Sequence, residues 1–405
     1  MTGNREPIRG LPRLVYKFRT GGFGWVGDRL AAEALLPTTR PGQALHGLAR
    51  RAIAAAAAAP RRAQRMLVRR PHEFAQTLFA FYDLAVAPIT FDFLWFLAGA
   101  DLCRRRLRLE RVHIVVVPGR QGGVRREHDD YEAVISAEAR RGRVHNIVIP
   151  SCSLLPTCKG VTYAASREQA GFVRAVMSDH IYPSGYEPAL PIYPGPAACL
   201  EAARQGDRAI ACLRAPPERL RDIDRWIATH AKGRHIIAIT MRSYGYMRAR
   251  NSNVDAWVAF ARLLDTARFV PVFVPDLDQT LDGLPAALAD FLVHPEAAWN
   301  IGLRMALYER AFLNISANTG PIGLCWLNAR THYATLKMAV AGVPQTTADY
   351  YRVLGFEPGE SFPFATHFQE LVWEDDNLEA IKRAFARAVS RLDADRATER
   401  AEPMV

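Results

Sequence analysis

From about residue 78 onward, short apolar runs rich in β-branched residues alternate with segments whose apolar positions recur at helical spacing. That alternation is the rhythm of parallel βαβ units. In the first half the runs 87–94, 112–118, 144–150 and 160–163 are predicted strands, with a helix through residues 100–106. The run 112–118 is apolar at nearly every position, as a strand covered on both faces must be. Residues 182–197 are rich in Pro and Gly and suit a connection between domains. A second series follows, with predicted strands at 235–240, 269–275 and 311–316 and predicted helices at 254–264, 300–310, 322–327 and 378–389.

A chain of 405 residues accommodates two such units. The 49% hydrophobic and 23% charged fractions are those of ordinary globular proteins and exclude fibrous or largely disordered classes. One apolar stretch, 77–103, approaches the length of a membrane span, but Asp83, Pro88, Asp92 and Asp101 interrupt it. Carboxylates are costly in hydrocarbon, so a buried strand followed by a helix is the better reading and no transmembrane helix is expected.

The net charge of +11 is concentrated at one end. Residues 1–72 carry 14 Lys+Arg against 3 Asp+Glu, which leaves 38 of each sign in the rest. A neutral body without an aromatic-basic reader motif argues against nucleic acid as a partner. The basic segment contains the Ala run 54–59 between Arg50-Arg51 and Arg61-Arg62. Two readings stand: a helix in peripheral contact with anionic membrane through residues 40–72, or a solvated, partly disordered extension, favoured because its apolar face is mostly Ala. An apolar signal-peptide core is absent, and the six cysteines form no CxxC pair. Both point to a cytoplasmic protein with reduced thiols, or one peripheral at the inner membrane face.

The sharpest candidate for chemistry is Ser316-Ala317-Asn318-Thr319-Gly320-Pro321, between a predicted strand and a predicted helix. Small residues let backbone approach a ligand, and a helix start offers free N–H groups to a phosphate. A plain helix start, with Asn318 or Thr319 as cap and Pro321 at the first position, explains the run equally well. The strand 235–240 ends in a loop with Arg242, Arg248 and Arg250, then Asn251, Ser252 and Asn253. Guanidinium forks match phosphate oxygens, and the loop starts where doubly wound sheets bind ligands. Asp276, just past the run 269–275, suits a ribose or base edge, or a turn. Glu309 is read as part of a solvated helix face.

On these residues the C-terminal part, roughly 230–392, resembles the donor domain of GT-B glycosyltransferases, including the heptosyltransferase and fucosyltransferase-like groups. The resemblance lies in the Arg-bearing loop (Arg242, Arg248) and the Gly320-Pro321 helix start. Heptosyltransferase-like proteins follow Ser-Gly-Pro with His. Here Thr319-Gly320-Pro321 is followed by Ile322-Gly323, which leaves the donor open. The resemblance implies an α/β, GT-B-like fold: two Rossmann-like βαβ domains with a cleft between them, plus the basic N-terminal extension. The expected division is an extension over 1–72, an acceptor-side domain over 73–195, a connection over 196–230, a donor domain over 231–392 and a tail over 393–405.

It further implies metal-independent transfer of a sugar from a nucleotide-sugar co-substrate, with no cofactor, to a glycan or lipid-linked acceptor. Asn318, Thr319 and Gly320 would face the donor diphosphate, Arg242 and Arg248 would neutralise the leaving nucleotide, and Asn251, Ser252 and Asp276 would complete the donor site. The first half would then supply a general base. Asp92 is the first choice, with a capping role as its alternative. His128 and Asp130 form a competing cluster beside Asp129, and Asp83 follows. Arg120 and Arg125 flank a glycine loop at 119–123 that suits an anionic acceptor. A second glycine-rich loop, 20–28, after a possible strand at 14–18, is a weaker phosphate candidate. A sugar-nucleotide epimerase and a non-catalytic nucleotide-binding scaffold are the alternatives.

Overall fold

The computed structural model describes residues 40–120, 123–127, 129–277 and 283–401. The strand and loop read at 14–18 and 20–28, the loop residues Gln121 and Gly122, and His128 lie outside them.

Helix α1 (Arg40–Leu67) leads into a first unit of β1 (Thr77–Asp83), α2 (Phe93–Arg106), β2 (Arg111–Val117), β3 (Cys158–Tyr163) and β4 (His180–Tyr182). Helix α3 (Pro217–Ala231) opens the second unit, followed by β5 (His235–Thr240), α4 (Val254–Leu263), β6 (Phe269–Val274) and β7 (Leu292–Val293). Then come α5 (Ile301–Arg310), β8 (Leu313–Ala317), β9 (Tyr333–Leu336), α6 (Ala348–Leu354), β10 (Gln369–Leu371) and α7 (Leu378–Ala401). The architecture is the expected α/β, GT-B-like pair of Rossmann-like units.

Both sheets are parallel throughout. The first runs β3-β2-β1-β4 and the second β10-β9-β8-β5-β6-β7. Counted from their own first strands, the second sheet is six strands deep with the order reversing between β5 and β8, and the first repeats that reversal between β1 and β4. At such a switch point the flanking loops leave in opposite directions and open a crevice at the carboxyl edge.

Two expectations in the first half fail. The run 87–94 is not a strand: residues 84–92 form a turn-rich connection after β1, and 93 onward is α2. Residues 93–102 of α2 are all buried, so its sequence is apolar on every side and spacing cannot separate it from a strand. The run 144–150 is helical as well, continuing the segment Ala137–Arg143 that Ser136 caps at Ala139. Val144 and Val148, four apart, are the members of Val144–Val148 that are buried, which is helical and not strand periodicity. The last helix is longer than 378–389 and ends at Ala401.

The two units share one core. Leu78, Tyr82, Phe93 and Ile114 of the first belong to the same apolar cluster as Ile236, Val272, Met305 and Tyr333 of the second. Trp95 of α2 meets Phe362 edge-on at 5.6 Å. The connection is tied to both sides: Arg214 N–H donates to Leu154 O at 2.8 Å and Leu213 N–H to Leu327 O at 2.9 Å. Glu309 is no solvated face residue. It accepts from Ala215 N–H and Asn328 Nδ2, both at 2.7 Å, and pins the connection to the β8–β9 loop.

Residues Arg40–Leu67 of the extension form α1, docked beside the edge strand β4. Arg50 donates to Ser184 O and Gly185 O, Arg65 to Ala175 O at 2.7 Å, and Arg61 pairs with Glu187. The Glu187 carboxylate is 1% exposed and also meets Arg174 at 3.3 Å. Replacing Glu187 by Ala leaves two guanidinium groups without their shared anion. The expected loss is about 2 kcal/mol, less than for a fully buried pair because both arginines reach solvent. Urea unfolding measures the loss, and trypsin should cut α1 faster in the variant if this carboxylate holds the helix.

Candidate functional site

The carboxyl edges of the two sheets face each other, and the predicted residues sort themselves around both switch points. After β5 the loop 241–253 is closed at its base by Arg242 N–H donating to Ser252 Oγ at 2.9 Å and Ser252 N–H to Arg242 O at 3.0 Å. Asn251 grips the Tyr244 backbone twice, Oδ1 accepting from its N–H and Nδ2 donating to its O, each at 3.1 Å. Asp276 Oδ2 accepts from Ser243 N–H at 3.2 Å. Asn251, Ser252 and Asp276 therefore brace the loop.

Met247 takes a left-handed conformation, φ 54°, and a single 3-10 turn over Arg248–Arg250 follows. The turn leaves Arg248 exposed and carries Arg250 inward. Arg250 Nη2 donates to Asn318 O at 3.3 Å, across the switch point between β5 and β8. Arg242 lies close enough to Arg250 for repulsion: burial first, then Arg250, pushes the Arg242 guanidinium down to about 10. Arg250 is lowered too, by burial, against the attraction of Tyr351, Asp92 and Tyr350. The Nε–H of each lacks a hydrogen-bond partner. Two cations thus sit half out of water, each with a donor unused.

Opposite them is the run after β8. Asn318 and Thr319 are buried, with Asn318 Nδ2 donating to Tyr351 OH at 3.2 Å. Gly320 opens a 3-10 turn, Gly320–Ile322, that runs into the short helix Gly323–Trp326. Its side-chain space is taken by the first unit, since a Cβ on Gly320 would lie 3.1 Å from the Phe91 ring. Ser316 Oγ, fully buried at the end of β8, also has no partner.

Asp92 occupies the matching position in the first unit, past β1 and at the start of α2. Its carboxylate is exposed, accepts from Thr90 Oγ1 at 2.8 Å, and acts electrostatically on Arg250 and Tyr350 of the second unit. Tyr193, which follows β4, donates to Asp92 O at 3.3 Å. Asp130 is exposed on the turn Asp129–Glu132 and is not brought to the cations by any contact. Asp83 is spent on structure, 1% exposed and gripped by Arg167 at 2.8 Å on both oxygens. Arg125 chelates Glu127 at 2.6 and 3.0 Å, and Arg120 donates to Ala189 O at 3.0 Å. Among the described residues no three His, Cys, Asp or Glu side chains are grouped as metal ligands would be.

No protein-family model matches the chain, and no curated sequence matches it. Its structure is similar to several solved glycosyltransferases. A glycosyl transferase family 9 protein from Veillonella parvula is 9% identical, with 78% of this chain and 97% of that chain covered and a TM-score of 0.47. The Escherichia coli ADP-heptose lipopolysaccharide heptosyltransferase II is 8% identical, with 79% and 99% covered and a TM-score of 0.39. The NodZ α-1,6-fucosyltransferase co-crystallised with GDP is 13% identical, with 62% and 92% covered and a TM-score of 0.27.

Several residues at the site escape sequence reasoning. Arg143 of the first unit donates to Tyr131 OH at 2.9 Å and to Tyr244 OH. The Tyr244 ring has Arg143 at 5.4 Å and Arg242 at 5.2 Å, so one aromatic ring joins cations of both units. Behind the loop, Asp376 is 1% exposed and its carboxylate collects three donors. Oδ2 accepts from Asn253 N–H at 2.8 Å and Trp257 Nε1 at 2.9 Å, and Oδ1 from Lys337 Nζ at 2.9 Å. Lys337 in turn donates to Asn251 O at 3.2 Å, so the knot holds the arginine loop against β9. The backbone N–H of Asp376 itself donates locally, to Asp375 Oδ1 at 2.9 Å.

Asp376→Ala leaves the Trp257 indole N–H and the Asn253 N–H without their acceptor and Lys337 with Asp375 at 3.0 Å as its remaining counter-ion, and should cost about 2–4 kcal/mol. Combining it with Lys337→Met should cost less than the two changes summed. A double-mutant cycle in urea checks this, and strict additivity would dissolve the knot as a unit.

Proposed function

We propose that this protein is a metal-independent glycosyltransferase that takes a sugar from a nucleotide-sugar donor and passes it to a hydroxyl of a glycan or lipid-linked acceptor. The observation that carries the reading is the pair Arg242 and Arg250 at the β5–β8 switch point, desolvated, close enough to repel, each with an unused Nε–H, with Asp92 acting on Arg250 from the other unit. Holding two cations that way is unfavourable until an anion arrives, and a diphosphate supplies the charge and acceptor oxygens. Asn318 and Thr319 line the same crevice, and Ser316 lies beneath them.

In the proposed reaction the acceptor hydroxyl gives its proton to the Asp92 carboxylate as its oxygen bonds to the anomeric carbon. The bond from that carbon to the donor phosphate breaks, and the electron pair leaves with the nucleoside diphosphate. Arg242 and Arg250 stabilise that developing charge, which is where preorganised cations accelerate transfer most. Tyr193 of the first unit and Tyr350 of the second bring aromatic rings near Asp92, surfaces on which sugars pack. Surface polysaccharide synthesis is the proposed setting. Six free cysteines suit a cytoplasmic, reducing compartment.

Calorimetry against UDP, GDP, ADP and CMP should find one preferred nucleotide. Arg250→Ala should weaken it by roughly 10- to 100-fold, the value of one or two charge-assisted hydrogen bonds. Absence of binding at millimolar concentration would remove the donor site. Arg242→Gln should lose nucleotide affinity comparably yet melt no lower than wild type, because it deletes a desolvated charge. The sign follows from its lowered pKa: the protonated form is disfavoured by folding at every pH below about 10, so removing the charge relieves a penalty. Asp92→Asn should keep nucleotide affinity and slow transfer by roughly 10²- to 10⁴-fold. Unchanged turnover would take the base role from Asp92, and nucleotide binding without transfer in wild type would favour a scaffold.

A further inference from the structure

Helix α1 has two faces with different work. Residues His46, Arg50, Ile53, Ala57, Arg61, Arg65 and Val68 recur at spacings of three and four, and all are buried or half-buried. This is the stripe through which Arg50, Arg61 and Arg65 grip residues 175–187. The opposite stripe follows the same spacing: Leu45, Leu48, Ala52, Ala55, Ala59, Arg62 and Met66, every one exposed. Leu45 and Leu48 are 68% and 60% exposed, and Met66 and Leu67 are 83% and 86%. Arg51 and Arg62 stand along this outer side and Arg69 follows two residues past the helix's end, all three exposed. Residues 40–72 contain no Asp or Glu.

We infer that the outer face of α1 is a docking surface for an anionic lipid bilayer, with α1 lying in the plane of the headgroups. The helix is 28 residues long, roughly 42 Å at 1.5 Å per residue, and its large apolar side chains sit near its two ends. Leu45 and Leu48 at one end and Met66 and Leu67 at the other enter the headgroup boundary, while Arg51, Arg62 and Arg69 meet lipid phosphates. Charge complementarity selects this occupant over a second copy of the chain. Two such faces brought together would oppose arginine to arginine with no carboxylate between them. The inner arginines make the arrangement rigid: they fasten α1 to the first unit, so the contact fixes how that unit stands on the surface. The inference is independent of the nucleotide-sugar reading.

The test is co-sedimentation of the full chain with vesicles of phosphatidylcholine alone and with added phosphatidylglycerol. The protein should pellet with the anionic vesicles, stay in solution with the zwitterionic ones, and be released by raised salt. Leu48→Glu with Met66→Glu should lower the partition by on the order of tenfold or more, with circular dichroism and melting unchanged because both positions are exposed. No pelleting with anionic vesicles overturns the proposal, and so does undiminished pelleting of the double variant. Light scattering supplies the remaining arm: a wild-type dimer that becomes monomer in the double variant, without vesicle binding, assigns the face to a second copy and overturns the bilayer.

Discussion

Two guanidinium groups held together out of water are the constraint on which this structure turns. Arg242 and Arg250 repel each other and lose hydration, and a flexible loop would swing them apart into solvent. The chain prevents that by over-determining the loop. Ser252 closes its base, Asn251 replaces a strand partner for Tyr244, Asp276 holds Ser243, and Asp376 with Lys337 fastens the loop's far end to β9. Each brace is a polar side chain spent on backbone or on another charge, so the stability lost at the cations is offset elsewhere in the loop. Removing the cations would leave these braces with nothing to position.

The second requirement is that something face the cations, and the fold meets it by using one topology twice. Each sheet reverses its strand order beside its first strand, so each places a crevice at its carboxyl edge. The shared apolar core fixes those edges against each other, with α2 as the buried wedge: Phe91 just before it covers Gly320, and Leu94 within it approaches Gly323. Gly320 is needed for the closeness of the opposing unit. That is a different reason from the phosphate approach suggested by its sequence context, and the two are compatible, since backbone N–H groups remain beside the contact. Asp92 reaches the cleft because it starts the same wedge.

What was legible in the sequence follows from which physical signals are local. Strands β5, β6 and β8 are short apolar runs closed by turn residues, and their positions match the expected runs within two residues. The first unit was harder because α2 is buried all round and so shows no periodicity, while the segment 144–150 continues a helix capped well upstream and its Val144, Ile147, Val148 and Ile149 read locally as a β-branched strand. At the site, the loop after β5 was recognisable as a cluster of arginines at a strand end. Which arginine turns inward was not, because the choice between Arg248 and Arg250 rests on the left-handed Met247, a conformation that residue type does not announce. Arg143 and Asp376 lie about a hundred or more residues from the loop they serve, and only the assembled core brings them there.

The basic extension shows why composition alone misjudges a surface. Read as charge, residues 40–72 form one cationic block; folded, they divide by helical phase into arginines that fasten the helix and arginines that remain outside. The fastening is to the segment that leaves β4. Arg50 holds Ser184 and Gly185, Arg61 holds Glu187, and the chain then runs on to Tyr193, which touches Asp92. The segment that α1 grips is thus the one that leads directly to the wall carrying Asp92. The outer face of α1 therefore belongs to the same unit as Asp92, while the arginine loop belongs to the other.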